Sequence, residues 1–351
     1  MLDYLIVGSG LAGISFAETL DRNNKSFKVI SDDSQVSSSV AAGLINPVIL
    51  KRFKLVWKAK EQMALARLFY QGLEKKLEIS LYCPMKVFRR FISVEEQNLW
   101  FSACDKNGLR EFLSDHIHMN ANAYIDAPFG FGEVQQTVRV NTQMLISAYR
   151  EYLLNRGSLL WEKFNFDKLI IHENHIEYGS AKAKQIVFCE GFGIKENPYF
   201  NYLPIAGNKG EYVFVKAPEL KLDQAIKSAI FCIPEGNDIY RIGANYDRCD
   251  ETNEPTIKTK KELLKKWESI FKCSYEVIDQ IAGIRPVAID RRPVIGRHPK
   301  YNNLYVLNGF GSRGVLIAPY ASKQLYGHIE NEEPIATEMY IARFNKKHYS
   351  G

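Results

Sequence analysis

The 351-residue sequence has no apolar run long enough to cross a bilayer, no internal repeat and no low-complexity tract, which argues against a membrane-spanning chain, a repeat architecture and a disordered scaffold. It also lacks the cysteine pattern of a stapled or zinc-binding domain. Cys83, Cys104, Cys189, Cys232, Cys249 and Cys273 are scattered, with no C-x-x-C and no paired Cys/His spacing, so they are expected to be reduced and mostly structural. A strong charge of one sign is missing too: 46 Lys and Arg stand against 40 Asp and Glu, a net +6, which is too mild to imply nucleic acid by itself. A secretory leader is not expected, because Asp3 sits where a basic n-region belongs and cleavage after the short apolar stretch would remove a glycine motif. The remaining reading is a soluble cytoplasmic enzyme or binding protein, long enough for one large or two intertwined domains.

That glycine motif is the first feature with chemistry in it. Gly8-Ser-Gly-Leu-Ala-Gly13 follows the apolar run Asp3 to Val7 and precedes Ile14, Phe16, Ala17 and Leu20 at helical spacing, giving strand, turn and helix. A second strand, "FKVIS", ends in Ser31, Asp32 and Asp33 about 20 residues beyond the last glycine. The pattern predicts a dinucleotide site: Gly8 for the sharp turn, Gly10 for close approach of a pyrophosphate, Gly13 for helix–strand packing, with the helix N-terminus toward the phosphates. Asp32 is favoured as the ribose ligand, with Ser31 the alternative at the strict strand end. The motif does not separate NAD from FAD.

Further along, "SSSVAAGLINP" (37–47) is a small, hydroxyl-bearing loop, and the strand Gln185 to Cys189 ends in Glu190 and Gly191. Near the far end, "GIRPV" (283–287) leads to the strand Leu304 to Leu307 and then to "NGFGSRGVLIAP", a second glycine turn opening a helix near Ala318. Taken in order with "RVNTQML", "NKGEYV" and "IYRIGANYD", these segments resemble the D-amino-acid-oxidase-like family of FAD-dependent oxidoreductases over nearly the whole chain. That family includes glycine oxidase, sarcosine oxidase and the FAD domain of a bifunctional tRNA wobble-uridine modification enzyme.

The resemblance implies FAD as the cofactor, with Gly8, Ser9, Gly10, Ala12 and Gly13 at its pyrophosphate. It also implies Ser38, Ser39, Ala42, Gly43 and Ile45 beside the flavin, Gly191 nearby, and Gly311, Ser312, Arg313, Gly314 and Val315 at the pyrimidine side. Arg285 would bind a substrate carboxylate, a task suited to its planar fork; Tyr240 and Tyr246 flank "RIGAN" and are candidates to close the substrate side. Phe310 stands where family members often carry histidine. No cysteine follows Cys273, so FAD is expected to be non-covalent. The reaction implied is oxidation of the C–N bond of a small amine or amino acid by hydride transfer to flavin N5, giving an imine that hydrolyses. No dedicated base is needed, which agrees with seven histidines that form no convincing acid–base set.

Two other readings compete: oxidation of a carboxymethylaminomethyl group on a tRNA wobble uridine, and a flavin-binding protein without turnover. "GSRG" and the basic segment "LKRFKLVWKAK" bear on the first, although that segment reads better as a helix start with a solvated charged face. "HENH" (172–175) reads as a hairpin turn in preference to a metal site. The expected architecture is α/β: a discontinuous Rossmann-like FAD domain (1–80, 136–200 and 283–340), and an α+β substrate domain with an antiparallel sheet (81–135 and 201–282). The active site is expected between the two.

Overall fold

A computed structural model describes residues 1–349. Its first sheet is centred on Leu2–Val7, which runs parallel to Phe27–Ser31 on one side and Ala181–Phe188 on the other. Leu159–Trp161 extends the sheet beyond the second strand, and Leu304–Asn308 runs parallel beside Ala181–Phe188. These strands are continuous apolar runs because both faces are covered. Alternate residues Leu5 and Ile6 are both fully buried and belong to different cores, one on each face.

The helices Leu11–Arg22, Ala59–Leu77 and Gly314–Asn331 share one of those cores, joined by Ile14, Phe16, Tyr70, Leu316 and Leu325. The helix Thr142–Asn155, capped by the Asn141 side chain on the Met144 amide, adds Tyr149 and Leu153. A buried carboxylate within this layer is fully paired: Glu18 accepts from Arg22 at 2.7 Å, from Lys76 at 2.5 Å and from the Tyr149 hydroxyl at 3.2 Å. Such pairing offsets the cost of taking the charge out of water.

The second sheet has eight strands, and one half of it is the antiparallel set Glu276–Ala288, at the edge, then Ile205–Lys216, Ile239–Gly243 and Phe231–Gly236. Period-two alternation divides its faces. Val213, Val215, Tyr240 and Ile242 pack against Leu263 and Trp267 of the helix Ile257–Glu268. Their neighbours Tyr212 and Gly243 face the opposite side.

One expectation is corrected. The basic 51–60 segment is not a helix start: Val48–Ile49 and Lys54–Leu55 form a small hairpin, and helix begins only at Ala59. Burial of Phe53, whose ring meets Trp100 at 5.4 Å, pulls the chain into that turn. The strand Glu276–Ala288 runs through the expected boundary at residue 283 and pairs along its length with Ile205–Lys216.

Candidate active site

The glycine turn joins the first strand to its helix with almost no free space. A Cβ on Gly13 would lie 1.8 Å from the Gly8 carbonyl oxygen, so only glycine lets the helix start this close to the strand. Ser9 is tied down beside it: its amide and hydroxyl both donate to the Ser31 hydroxyl oxygen, at 3.1 and 2.8 Å. Arg150 donates to the Ser9 hydroxyl at 2.8 Å and pairs with Asp33 at 3.0 Å. Ser31 is thereby occupied in holding the turn. Asp32 presents its carboxylate in the cavity wall, with Oδ1 accepting from the Ser34 amide and hydroxyl.

A single cavity of about 380 Å³ runs from this turn to the second glycine turn. Gly8, Ser9, Gly10, Ala12, Asp32, Ser38, Ala42, Gly43 and Gly191 line one end. Tyr246, Arg285 and the stretch Gly311, Ser312, Arg313, Gly314 and Val315 line the other. The Ser38 hydroxyl accepts from the Leu11 amide at 3.0 Å, at the N-terminus of the first helix. Asn308, buried at the end of its strand, donates to the Gly191 carbonyl at 2.8 Å and ties the two strand ends together.

Four predicted residues stand elsewhere. Gly13 packs beneath the turn as described. Ser39 turns its hydroxyl to the Val36 carbonyl. Ile45 is buried in the core shared with the late helix. Tyr240 does not close the substrate side: it is 2% exposed, packs toward Trp267 and accepts from the Leu222 amide, because strand alternation turns it away from the cavity.

Arg285 is placed by its strand on the cavity face, opposite Asn208. Its guanidinium lies across Gly210, where a Cβ would come within 1.8 Å of Nη2. Its Nη1 donates to the Asn245 carbonyl at 3.5 Å, and the Tyr246 ring sits 5.2 Å away. Among the described residues no carboxylate lies within ion-pair distance of it. Arg313 is also in the wall; burial pushes its pKa down, while the nearby Tyr246 raises it and Arg292 lowers it further.

At the glycine-turn end, burial raises the Glu190 carboxyl to about 7, although the Asn197 side-chain amide donates to it at 2.7 Å. Burial thus favours the neutral carboxyl, which weakens its repulsion of an anion bound at the turn. Cys189 reaches the wall as well, but burial pushes its thiol well up, so it offers no thiolate.

The predicted hairpin forms between Leu169–Ile171 and Ile176–Tyr178. Its turn brings His172 and His175 to Glu177, with imidazole centroids 4.3 Å apart, outside the cavity wall. Sequence reasoning missed Gly210, Tyr212, Lys227 and Phe231, all of which line the cavity. The alternation in "EYVFVK" is the one local signal that singles out Tyr212, on the face opposite Val213 and Val215.

The arrangement can hold an elongated cofactor between two glycine turns and an anion at Arg285. The model of a family described as FAD dependent oxidoreductase matches residues 3–326. Glycine oxidase from Bacillus subtilis is 24% identical, over 98% of this chain and 97% of that protein. A tRNA 5-methylaminomethyl-2-thiouridine biosynthesis bifunctional protein from Legionella pneumophila is 26% identical over 47% of this chain, a match that spans only 30% of the relative's length. In fold, glycine oxidase from Geobacillus kaustophilus superposes with a TM-score of 0.79 at 18% identity, covering 100% of this chain and 99% of its own. Iminodiacetate oxidase from Chelativorans sp. BNC1 gives 0.78 at 16% identity, covering 96% and 98%. The two glycine turns, the cavity between them and the match across nearly the whole chain make this protein a member of the DAO family of FAD-dependent oxidoreductases.

Proposed function

We propose that the protein oxidises the C–N bond of a small amine that carries a carboxylate, with Arg285 as the residue that recognises the carboxylate. The observation carrying this reading is a guanidinium that, among the described residues, has no carboxylate partner and lies in the same cavity wall as the glycine turn. An unpaired buried-side cation is costly unless a ligand completes it, and a guanidinium fork meets a carboxylate through two parallel hydrogen bonds.

The cavity residues fit FAD. The pyrophosphate belongs at Gly8 to Gly13, on the first helix's N-terminus. Asp32 is the ribose ligand, since Ser31 is engaged with Ser9. The flavin belongs against Gly311 to Val315, where backbone amides and Arg313 favour negative charge. No cysteine follows Cys273 and burial holds Cys189 as the thiol, so the cofactor is held without a covalent thioether. Bound FAD would supply the two-electron oxidation of the amine. The chain's own contribution is orientation: Arg285 fixes the carboxylate, the Tyr246 ring covers the guanidinium, and apolar Phe310 beside the second turn excludes water.

Anaerobic mixing of the purified yellow protein with glycine, sarcosine, D-amino acids, proline, matched amines lacking a carboxylate, and modified tRNA tests the proposal. Flavin bleaching by a small carboxylated amine, and FAD release on acid denaturation, are the expected results. A protein that takes up no FAD, or is bleached equally well by amines without a carboxylate, would overturn it.

A further inference from the structure

Resting on the proposed carboxylate site, a second cation in the same cavity extends the substrate description. The acidic residues of the wall, Asp32, Glu190 and Glu196, come from the loop after the second strand and the turn after Ala181–Phe188, at the glycine-turn end. The cations of that end are paired there, Arg150 with Asp33 and Lys163 with Glu196 at 3.1 Å. At the other end the wall holds Lys51 at its exposed rim, and Arg285, Arg313 and Lys227 deeper in, with no acid among them. Arg285 and Arg313 have roles in the reading above. Lys227 has none.

The strand register fixes where Lys227 stands. It ends the strand Ala225–Lys227 and is directly opposite Phe231; Phe231 is opposite Gly243, and Gly243 is opposite Tyr212. All of these line the cavity, so one cross-strand row forms its floor, with side chains on a single face. The Lys227 ammonium lies 4.9 Å from the centroid of the Phe231 ring. Its charged neighbours are Arg89, directly opposite on Val87–Arg90 and itself paired with Glu96 at 2.5 Å, and Lys266 on the helix Ile257–Glu268. Among the described residues no carboxylate pairs with it.

The Arg285 guanidinium lies over Gly210, two residues from Tyr212 on the same strand. Three inter-strand spacings separate Tyr212 from Lys227, and allowing for the reach of the lysine stem the two charged heads stand roughly 10 Å apart. Gly210 lies beneath the guanidinium and Gly243 keeps the floor between the two heads low.

We infer that Lys227 is a second anion-binding residue and that the preferred substrate is a small secondary amine with two carboxylates, one on the carbon beside nitrogen at Arg285 and the other about 10 Å away on the second nitrogen substituent. A compact dicarboxylate is favoured over a nucleic-acid phosphate because Lys227 is recessed in the cavity floor, where a ligand must enter to reach it. A charge-assisted bond to the second carboxylate corresponds to a preference of roughly 10- to 100-fold.

The test uses the FAD-loaded protein and two N-carboxymethyl amines, one with a six-carbon arm ending in a carboxylate and one with the same arm ending in a methyl group. Kd is read by calorimetry with air excluded and by displacement with unreactive dicarboxylates, and KM and kcat are read separately. The wild type should favour the dicarboxylate by about tenfold or more in Kd and KM rather than kcat. Lys227→Met should bring the ratio toward one, and Lys227→Arg should retain it. Equal affinity for the two compounds while binding still depends on Arg285 overturns this inference alone. A ratio unchanged in Lys227→Met does the same, as does a preference for modified tRNA that is lost in Lys227→Met. Binding of neither compound overturns the proposed function as well.

Discussion

The Arg285 guanidinium rests on the bare backbone of Gly210, and the missing Cβ there is what lets it lie flat along the cavity floor. Gly210→Ala should therefore act as a displacement of Arg285. The expected result is a rise of about tenfold or more in KM for carboxylated amines, with the flavin still bound, since misplacement by about 1 Å costs up to 10²-fold. Steady-state kinetics with a flavin-content assay check it; an unchanged KM would mean that the guanidinium position does not matter.

Removing the fork itself should be more selective. Arg285→Ala is expected to cost roughly 100-fold in kcat/KM for a carboxylated amine and much less for the matched amine without one. Arg285→Lys, which keeps the charge but not the two parallel donors, should fall between them. Equal losses on both amines would remove Arg285 from carboxylate recognition.

At the opposite end, Gly13→Ala places a methyl group 1.8 Å from the Gly8 carbonyl oxygen. The helix must move away from the strand, at about 1–3 kcal/mol of stability for overpacking, and the purified variant should be paler. Flavin absorbance per mole of protein and the thermal midpoint with and without added FAD report the two effects.

Lys227 carries a pH signature. Burial, with the cations Arg89 and Lys266 adding to it, lowers its pKa to about 8. The ammonium attracts an anion and the neutral amine does not, so the dicarboxylate preference should be present at pH 7 and should decline as pH rises through about 8. Dicarboxylate affinity measured from pH 6.5 to 9.5 tests the sign; for Lys227→Arg the profile should be flat.

His298 supplies a stability prediction. It sits among Tyr199, Phe200, Tyr202 and Tyr301, with Nδ1 accepting from the amides of Lys300 and Tyr301 at 3.1 Å. Burial lowers its pKa from 6.5 to about 4, so the folded state holds the neutral ring. Its contribution is complete above pH 6.5 and is lost as pH falls toward 4, because the unfolded chain takes up the proton first. Thermal midpoints from pH 7 to 4.5 should fall less steeply for His298→Gln than for the wild type.

What was legible in the sequence follows the range of the interaction. The first glycine turn was readable because strand, turn and helix are contiguous, and the hairpin at 172–175 for the same reason. Tyr246 and Arg285 were found on the cavity, but Tyr240 was misplaced: within Ile239–Gly243 a one-residue step changes the face, and only the partner Trp267, far along the chain, decides which face is the core. Lys227 and Phe231 were invisible because their position depends on a register running across five strands. The basic 51–60 segment misled because its charges suit the solvated face of a helix start, whereas Phe53 is claimed by Trp100.

The strand Glu276–Ala288 contacts the cavity walls near both glycine turns. At Gly283 it passes the loop before the first glycine-lined wall, where a Cβ would lie 3.2 Å from the Ser37 Cα; at Val287 it bridges to Phe310, next to the second glycine turn. Between those contacts it carries Arg285. On the proposed reading, one unbroken piece of backbone gauges the span from substrate anchor to oxidising group, and a change of preferred substrate would be written on the facing strands, where Lys227 and Phe231 stand, without resetting that gauge.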